Sequence, residues 1–111
     1  MFITSDLKLK HGWVYILSNK HRNVLYIGVT NDLVRRIEEH RIGKDKKCFT
    51  SRYNCFDLVY YEHFGRIDEA IAREKRLKEW KREWKLNLIK KKNEELKDLF
   101  EEFSEGKYLW K

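Results

Sequence analysis

Two apolar runs, GWVYILS at 12–18 and VLYIGVT at 24–30, lie on either side of a short polar stretch. Both are too short for a stable helix and rich in β-branched and aromatic residues, so they read as paired strands of a β-hairpin. Side chains alternate across a strand. Val14 and Ile16 therefore share one face of the first run, and Trp13, Tyr15 and Leu17 the other. In the second run Leu25, Ile27 and Val29 oppose Tyr26, Gly28 and Thr30. Matching the aliphatic faces puts Tyr15 and Tyr26 together on the second face. A register with Tyr15 directly across from Tyr26 leaves a loop over 19–22, a common length, with open space beside the phenols at Gly28. Tyrosine pairs in strands also simply pack, and that reading stays open.

The rest of the chain continues as a helix over 31–42, with Asn31 or Thr30 as cap and Asp32 suited to its positive end. A basic loop follows at 43–56, then a third strand at 57–64. A long helical stretch runs from Ile67 or Asp68 to about Lys92, broken near Lys81. A short helix is expected at 93–103, and the final GKYLWK has no assignable element.

Charge narrows the class of partner. The chain has 111 residues and a formal net charge of +7. Residues 73–92 hold ten Lys or Arg against three Glu, which accounts for that whole excess, whereas 94–105 hold six acids against one lysine. Such a balance fits a polyanion, although a solvated lysine-rich surface gives the same count. The acidic segment is itself a candidate cover for the basic helix. Trp80 and Trp84 interleave with the basic residues one turn apart, as core anchors or as stacking platforms for bases. Aromatics at 14% exclude a disordered chain. No apolar run approaches the length of a membrane span, and MFITSDLKLKHG lacks the features of a signal peptide, so a cytoplasmic location is expected. Cys48 and Cys55 then read as free thiols, since their spacing, with His40 and His63 nearby, is not that of a zinc site.

Two helical positions break their own pattern. Leu33 and Ile37 mark an inward stripe; Arg36 and His40 fall on or beside it, and Arg35 faces water. A semi-buried arginine requires an anion, from a carboxylate or a phosphate. In IDEAIAREKRLKEW the inward positions are Ile67, Ala70, Ile71 and Leu77, with Glu74 at their centre. Glutamate is rarely buried unless paired or coordinating. A salt bridge, for example to Arg36, and a role as ligand for a hard divalent cation both meet that condition.

These residues resemble the GIY-YIG nuclease superfamily. Val14-Tyr15-Ile16 and Tyr26-Ile27-Gly28 are similar to its two signature tripeptides, with Arg36, His40 and Glu74 following in the same order and spacing as in GIY-YIG homing endonucleases and the excision-repair incision nuclease, an enzyme of DNA repair. LYIGVTNDL, FTSRY, LVYYE, AIAREK and KLNLI resemble segments of the small stand-alone bacterial members more closely, over roughly 12–100. The first tripeptide departs in reading Trp13-Val14-Tyr15, and Asn93-Glu94 stands where those proteins show Asn-Pro.

The resemblance implies an α+β fold, a small three-stranded antiparallel sheet flanked by helices. Residues 1–111 would form a single domain, with a nuclease core at 12–92 and an acidic C-terminal helix and tail at 93–111. It implies a divalent-metal-dependent endonuclease hydrolysing phosphodiester bonds, on DNA in preference to RNA, with structure-dependent or weak specificity. Glu74 would hold Mg²⁺ or Mn²⁺. Tyr15, Tyr26, Arg36 and His40 would complete the catalytic set, with Tyr15 favoured as base and its phenol made more acidic by Arg36 and the metal. Arg73, Lys75, Lys78, Lys81, Arg82 and Lys85 would bind the nucleic-acid backbone. The competing expectation is a non-cleaving nucleic-acid-binding module that acts with a partner protein.

Overall fold

The computed structural model describes residues 10–42 and 52–109. Its elements are β1 Gly12–Ser18, β2 Leu25–Thr30, α1 Leu33–Ile42, β3 Asp57–Phe64, α2 Ile67–Lys78, α3 Arg82–Lys92 and α4 Phe100–Leu109. The strands form one antiparallel sheet in the order β2-β1-β3. The architecture is the expected α+β arrangement. Most of the loop foreseen at 43–56, including Cys48, lies outside the described residues; Cys55 is a buried free thiol.

The hairpin register differs from expectation by two residues. Tyr15 pairs with Gly28, and Leu17 with Tyr26. The connection sets this. The Asn19 carboxamide oxygen accepts from the amides of Asn23 (3.0 Å) and Val24 (3.1 Å), and the Ser18 hydroxyl donates to the Val24 carbonyl at 2.8 Å. That closure takes up 19–24 and puts Arg22 at φ 60°. The Arg22 guanidinium then reaches across to the Leu96 carbonyl (2.7 Å) and Asp57 (2.8 Å), which anchors the loop. Because the shift is an even number of residues, both tyrosines stay on the same face.

Each face of the sheet carries its own core. Val14, Ile16, Ile27, Val59 and Tyr60 pack with Ala70 and Leu77 of α2, Ile89 of α3, and Leu96. On the opposite face Tyr15, Leu17 and Leu58 pack with Leu33 and Ile37 of α1, and with Leu99, Phe100 and Phe103. Full burial of such aliphatic side chains contributes about 1.5–3 kcal/mol each. Gly12 lets α2 approach β1 closely: a Cβ there would meet Ile67 Cδ1 at 2.6 Å and Ala70 Cβ at 3.0 Å. Between Ile16 and Leu17 the β1–β3 register slips, so Tyr60 and Leu58 face consecutive β1 residues. Ile71, expected inside, is 36% exposed, because α2 meets the sheet through the narrower stripe Ile67, Ala70 and Leu77.

The helix ends follow local chemistry. The cap of α1 is Asp32, not Asn31 or Thr30: its carboxylate accepts from the Arg35 amide at 3.3 Å, and its own amide donates to the Thr30 hydroxyl at 3.1 Å. The helical stretch from Ile67 breaks at Lys81 as expected. That residue is extended (φ −65°, ψ 152°), and its carbonyl accepts from the Trp84 amide at 3.0 Å to start α3.

The helix expected at 93–103 begins only at Phe100 and continues through 109, taking in most of the unassigned tail; residues 110 and 111 lie outside the described residues. Asn93 is the reason. It is buried, its carboxamide donates to the carbonyls of Val59 (3.0 Å) and Lys97 (2.8 Å), and it accepts from the Lys97 amide at 3.2 Å. The turn that forms places Leu96 at φ 52° and sends the chain along β3. There the Leu99 amide donates to the Leu58 carbonyl at 2.7 Å, and Asp98 accepts from the Leu58 amide at 2.9 Å. The turn thus closes without the proline of the resembled proteins. Helix α4 packs on α1, on the face opposite α2 and α3, so the packing seen for this acidic segment does not cover the basic helix.

Candidate active site

Tyr15 lies at the centre of the candidate residues. It is 1% exposed, on the central strand. Its hydroxyl is 3.2 Å from His40 Nε2, a hydrogen bond whose donor depends on the histidine tautomer. The Tyr26 ring is 6.3 Å from the Tyr15 ring and 5.7 Å from the His40 ring. Arg36 acts on the Tyr15 phenol as a hydrogen-bond partner and through its charge, and Glu74 acts on it through its charge. Tyr15, Tyr26 and His40, drawn from β1, β2 and α1, therefore sit together, and the charges of Arg36 and Glu74 are felt at the phenol. Arg36 and His40 come from α1 on one face of the sheet and Glu74 from α2, which packs on β1 and β2 from the other.

Gly28 is what admits the phenol. A Cβ at this position would collide with the Tyr15 hydroxyl oxygen and Cζ. The space foreseen beside the tyrosines is thus filled by Tyr15 itself.

The electrostatics depart from expectation in one respect. Burial, with Tyr26 adding to it, holds the Tyr15 phenol well above the ordinary tyrosine range; Arg36 pulls the other way and is outweighed. Burial, reinforced by the Arg36 charge, lowers His40 to about 4. His40 is consequently neutral near pH 7, with one ring nitrogen able to accept a proton.

Arg36 and Glu74 are placed differently from the sequence reading. The Arg36 side chain is 44% exposed, not semi-buried, and pairs with Glu39 at 3.1 Å. One turn along α1 from the inward stripe, the flexible guanidinium reaches water as well as the phenol. Glu74 is largely buried, its side chain 14% exposed, but its ion pair is with Lys78 at 3.1 Å and not with Arg36. Both observed partners sit at helical i,i+3 or i,i+4 spacing, a signal present in the sequence at Glu39 and Lys78.

The basic stretch divides. Arg73 is committed: its guanidinium donates to both Glu62 carboxylate oxygens (3.0 and 3.1 Å), while the Tyr60 hydroxyl donates to Glu62 at 2.6 Å. Burial raises the Glu62 carboxyl, but the hydrogen bonds from Arg73 and Tyr60 outweigh it and hold Glu62 below the usual carboxylate range. Sequence reasoning missed this network, since Glu62 and Arg73 lie on different elements. Lys75, Lys78, Lys81 and Arg82 are exposed and Lys85 is half-buried. Arg82 donates to the Arg22 carbonyl at 3.1 Å.

Among the described residues no three His, Cys, Asp or Glu side chains cluster as a closed metal cage. A lone carboxylate beside an open face suits a small hard cation that keeps most of its waters and takes further oxygens from a phosphate. Glu74 offers one such carboxylate, largely buried and paired with Lys78.

A three-stranded antiparallel sheet in the order β2-β1-β3, with the Tyr15 and Tyr26 phenols beside the His40 imidazole, carries the two tripeptides and the histidine expected of the resembled nucleases. The family model described as the GIY-YIG catalytic domain matches residues 11–87, and the chain belongs to this family of nucleases. Among its relatives are UPF0213 proteins of Staphylococcus haemolyticus (39% identical, over 75% of this chain and 98% of the relative) and Clostridium perfringens (41% identical, over 73% and 85%). The solution structure of a UPF0213 protein from Bacillus halodurans is 34% identical, with a TM-score of 0.49 over 75% of this chain and 86% of that one. Among the described residues no helix is long and apolar enough to cross a membrane.

Proposed function

We propose that this chain is a divalent-metal-dependent endonuclease that hydrolyses phosphodiester bonds, acting on DNA with structure-dependent or weak specificity. The observation that supports the reading is the contact of Tyr15, Tyr26 and His40 on one face of the sheet, within reach of the Arg36 and Glu74 charges. Each of these groups has a use at a phosphate.

Glu74 would hold Mg²⁺ or Mn²⁺. Bound there, the ion supplies Lewis-acid polarisation of the phosphate and neutralises charge on the departing oxygen. Arg36 exchanges Glu39 for the non-bridging oxygens, which its planar fork grips in pairs. His40, kept neutral, holds or relays a proton through Nε2. Exposure separates the two phenols. Tyr15 is 1% exposed and held protonated, whereas Tyr26 is half-buried, so a water nucleophile meets Tyr26 first. We therefore assign Tyr26 the contact with the attacking water and Tyr15 the positioning of His40. Lys75, Lys78, Lys81, Arg82 and Lys85 bind the backbone without reading sequence.

The test is cleavage of a panel of single-stranded, duplex and branched DNA and RNA with and without Mg²⁺ or Mn²⁺. Cleavage that requires the metal and is lost in Glu74→Gln supports the proposal; a Glu74→Gln variant that cuts as well as the parent ends it. The Glu74–Lys78 ion pair, which occupies the carboxylate, favours a second reading: a non-cleaving nucleic-acid-binding module that works with a partner protein. Salt-dependent binding with no cleavage under either metal would support that reading instead.

A further inference from the structure

Trp84 is the feature that the proposed active site does not use. It lies in the first turn of α3, 48% exposed, although a tryptophan gains more from burial than almost any other residue. Trp80, one turn earlier, is packed against the core and meets the Trp84 ring edge-on at 6.2 Å and 82°. The Arg73 guanidinium lies 5.3 Å from the Trp80 ring, and the Lys81 ammonium 5.6 Å from that of Trp84. Trp84 is thus braced by a fixed neighbour and remains open to solvent.

Its surroundings are basic. Between residues 78 and 92 the chain carries Lys78, Lys81, Arg82, Lys85, Lys90, Lys91 and Lys92 against Glu79 and Glu83. Two copies meeting through such a face would repel each other, which argues against self-association. The acidic helix α4 packs on the other side of the sheet. A polyanion that also offers a flat apolar face fits both properties. Nucleic acid does so only where its bases are unpaired, because in a duplex each base face is already covered by its neighbours.

We infer that Trp84 is a stacking platform for an unpaired nucleobase, and that the nucleic acid bound here carries a single-stranded segment next to the phosphate at the Glu74 site. This inference rests on the nucleic-acid reading above and narrows its substrate class. The chain itself supplies the proximity. Lys78, which pairs with Glu74, is six residues from Trp84, a span of at most about 20 Å.

The experiment measures binding of the full chain, without divalent metal, to a labelled oligothymidylate and to a linear, fully paired duplex of matched phosphate number. Anisotropy and tryptophan fluorescence are read together for the parent, Trp84→Ala and Trp84→Phe. Trp84→Ala is expected to weaken single-strand binding by about tenfold, the usual scale for loss of one stacked base, and to leave duplex binding unchanged. It should also remove most of the quenching by oligothymidylate, and Trp84→Phe should restore the affinity. Thermal unfolding at the parent's midpoint certifies the fold. Unchanged or equal losses on both probes overturn the platform while the nucleic-acid reading stands. If the parent binds neither probe, that reading fails and this one with it.

Discussion

The phenol of Tyr15 lies across the backbone of Gly28 on the adjacent strand, in the volume that a Cβ at residue 28 would occupy. The glycine of the second tripeptide is thereby explained by packing, since it seats the phenol of the first. Gly28→Ala should displace Tyr15, with an overpacking cost of about 1–3 kcal/mol in urea unfolding, and should disrupt the Tyr15–His40 hydrogen bond. Tyr15→Phe in the same chain should recover part of that stability, because the collision is with the hydroxyl end of the ring. Equal stability of Gly28→Ala and the parent would contradict the seat.

His40 makes stability depend on pH. Its ordinary value is 6.5, and in the fold it is lowered to about 4 by burial and then by Arg36. Between these values the unfolded chain binds a proton that the native chain does not, so stability falls as pH drops from about 6.5 to about 4. The loss has an upper bound of roughly 3 kcal/mol. Urea melts at pH 7 and pH 4.5 should show it, and His40→Gln should flatten the slope. An NMR titration placing the His40 imidazole near 6.5 would contradict this.

Arg73 and Lys75 are neighbours with opposite expected behaviour. Arg73→Met leaves the Glu62 carboxylate without its bidentate partner, so it should cost about 1.5–3 kcal/mol of stability. Lys75→Ala touches no such network and should leave the melting temperature unchanged. It should instead reduce the salt slope of nucleic-acid binding by about one. Denaturant melts and affinities over a salt series separate the two.

Asn93 governs the C-terminal path. Asn93→Ala strips a buried donor from the Val59 carbonyl and unties the turn to Lys97, which should cost about 1–3 kcal/mol. Hydrogen exchange should quicken at Leu99, whose amide bonds the Leu58 carbonyl a few residues beyond that turn. Protection at Leu99 equal to that of the parent would show the docking to be independent of Asn93.

The strands, α1 and the break at Lys81 were legible because they are decided within a few residues: alternation for β1, β2 and β3, apolar spacing for the helices, and an interrupted stripe at Lys81. The candidates Tyr15, Tyr26, Arg36, His40 and Glu74 were drawn from the order of their motifs. Tertiary structure decided what depends on partners far along the chain. The hairpin register follows a loop held to Leu96 and Asp57, and the start of α4 follows a buried Asn93 bonded to Val59. The commitment of Arg73 to Glu62 came from the packing of α2 on β3. The strength of the Tyr15 phenol as an acid was set by the surroundings that bury it. Periodicity records which face of an element is apolar. Burial, register and proton affinity are properties of the contacts between elements, and they exist only once the chain has closed.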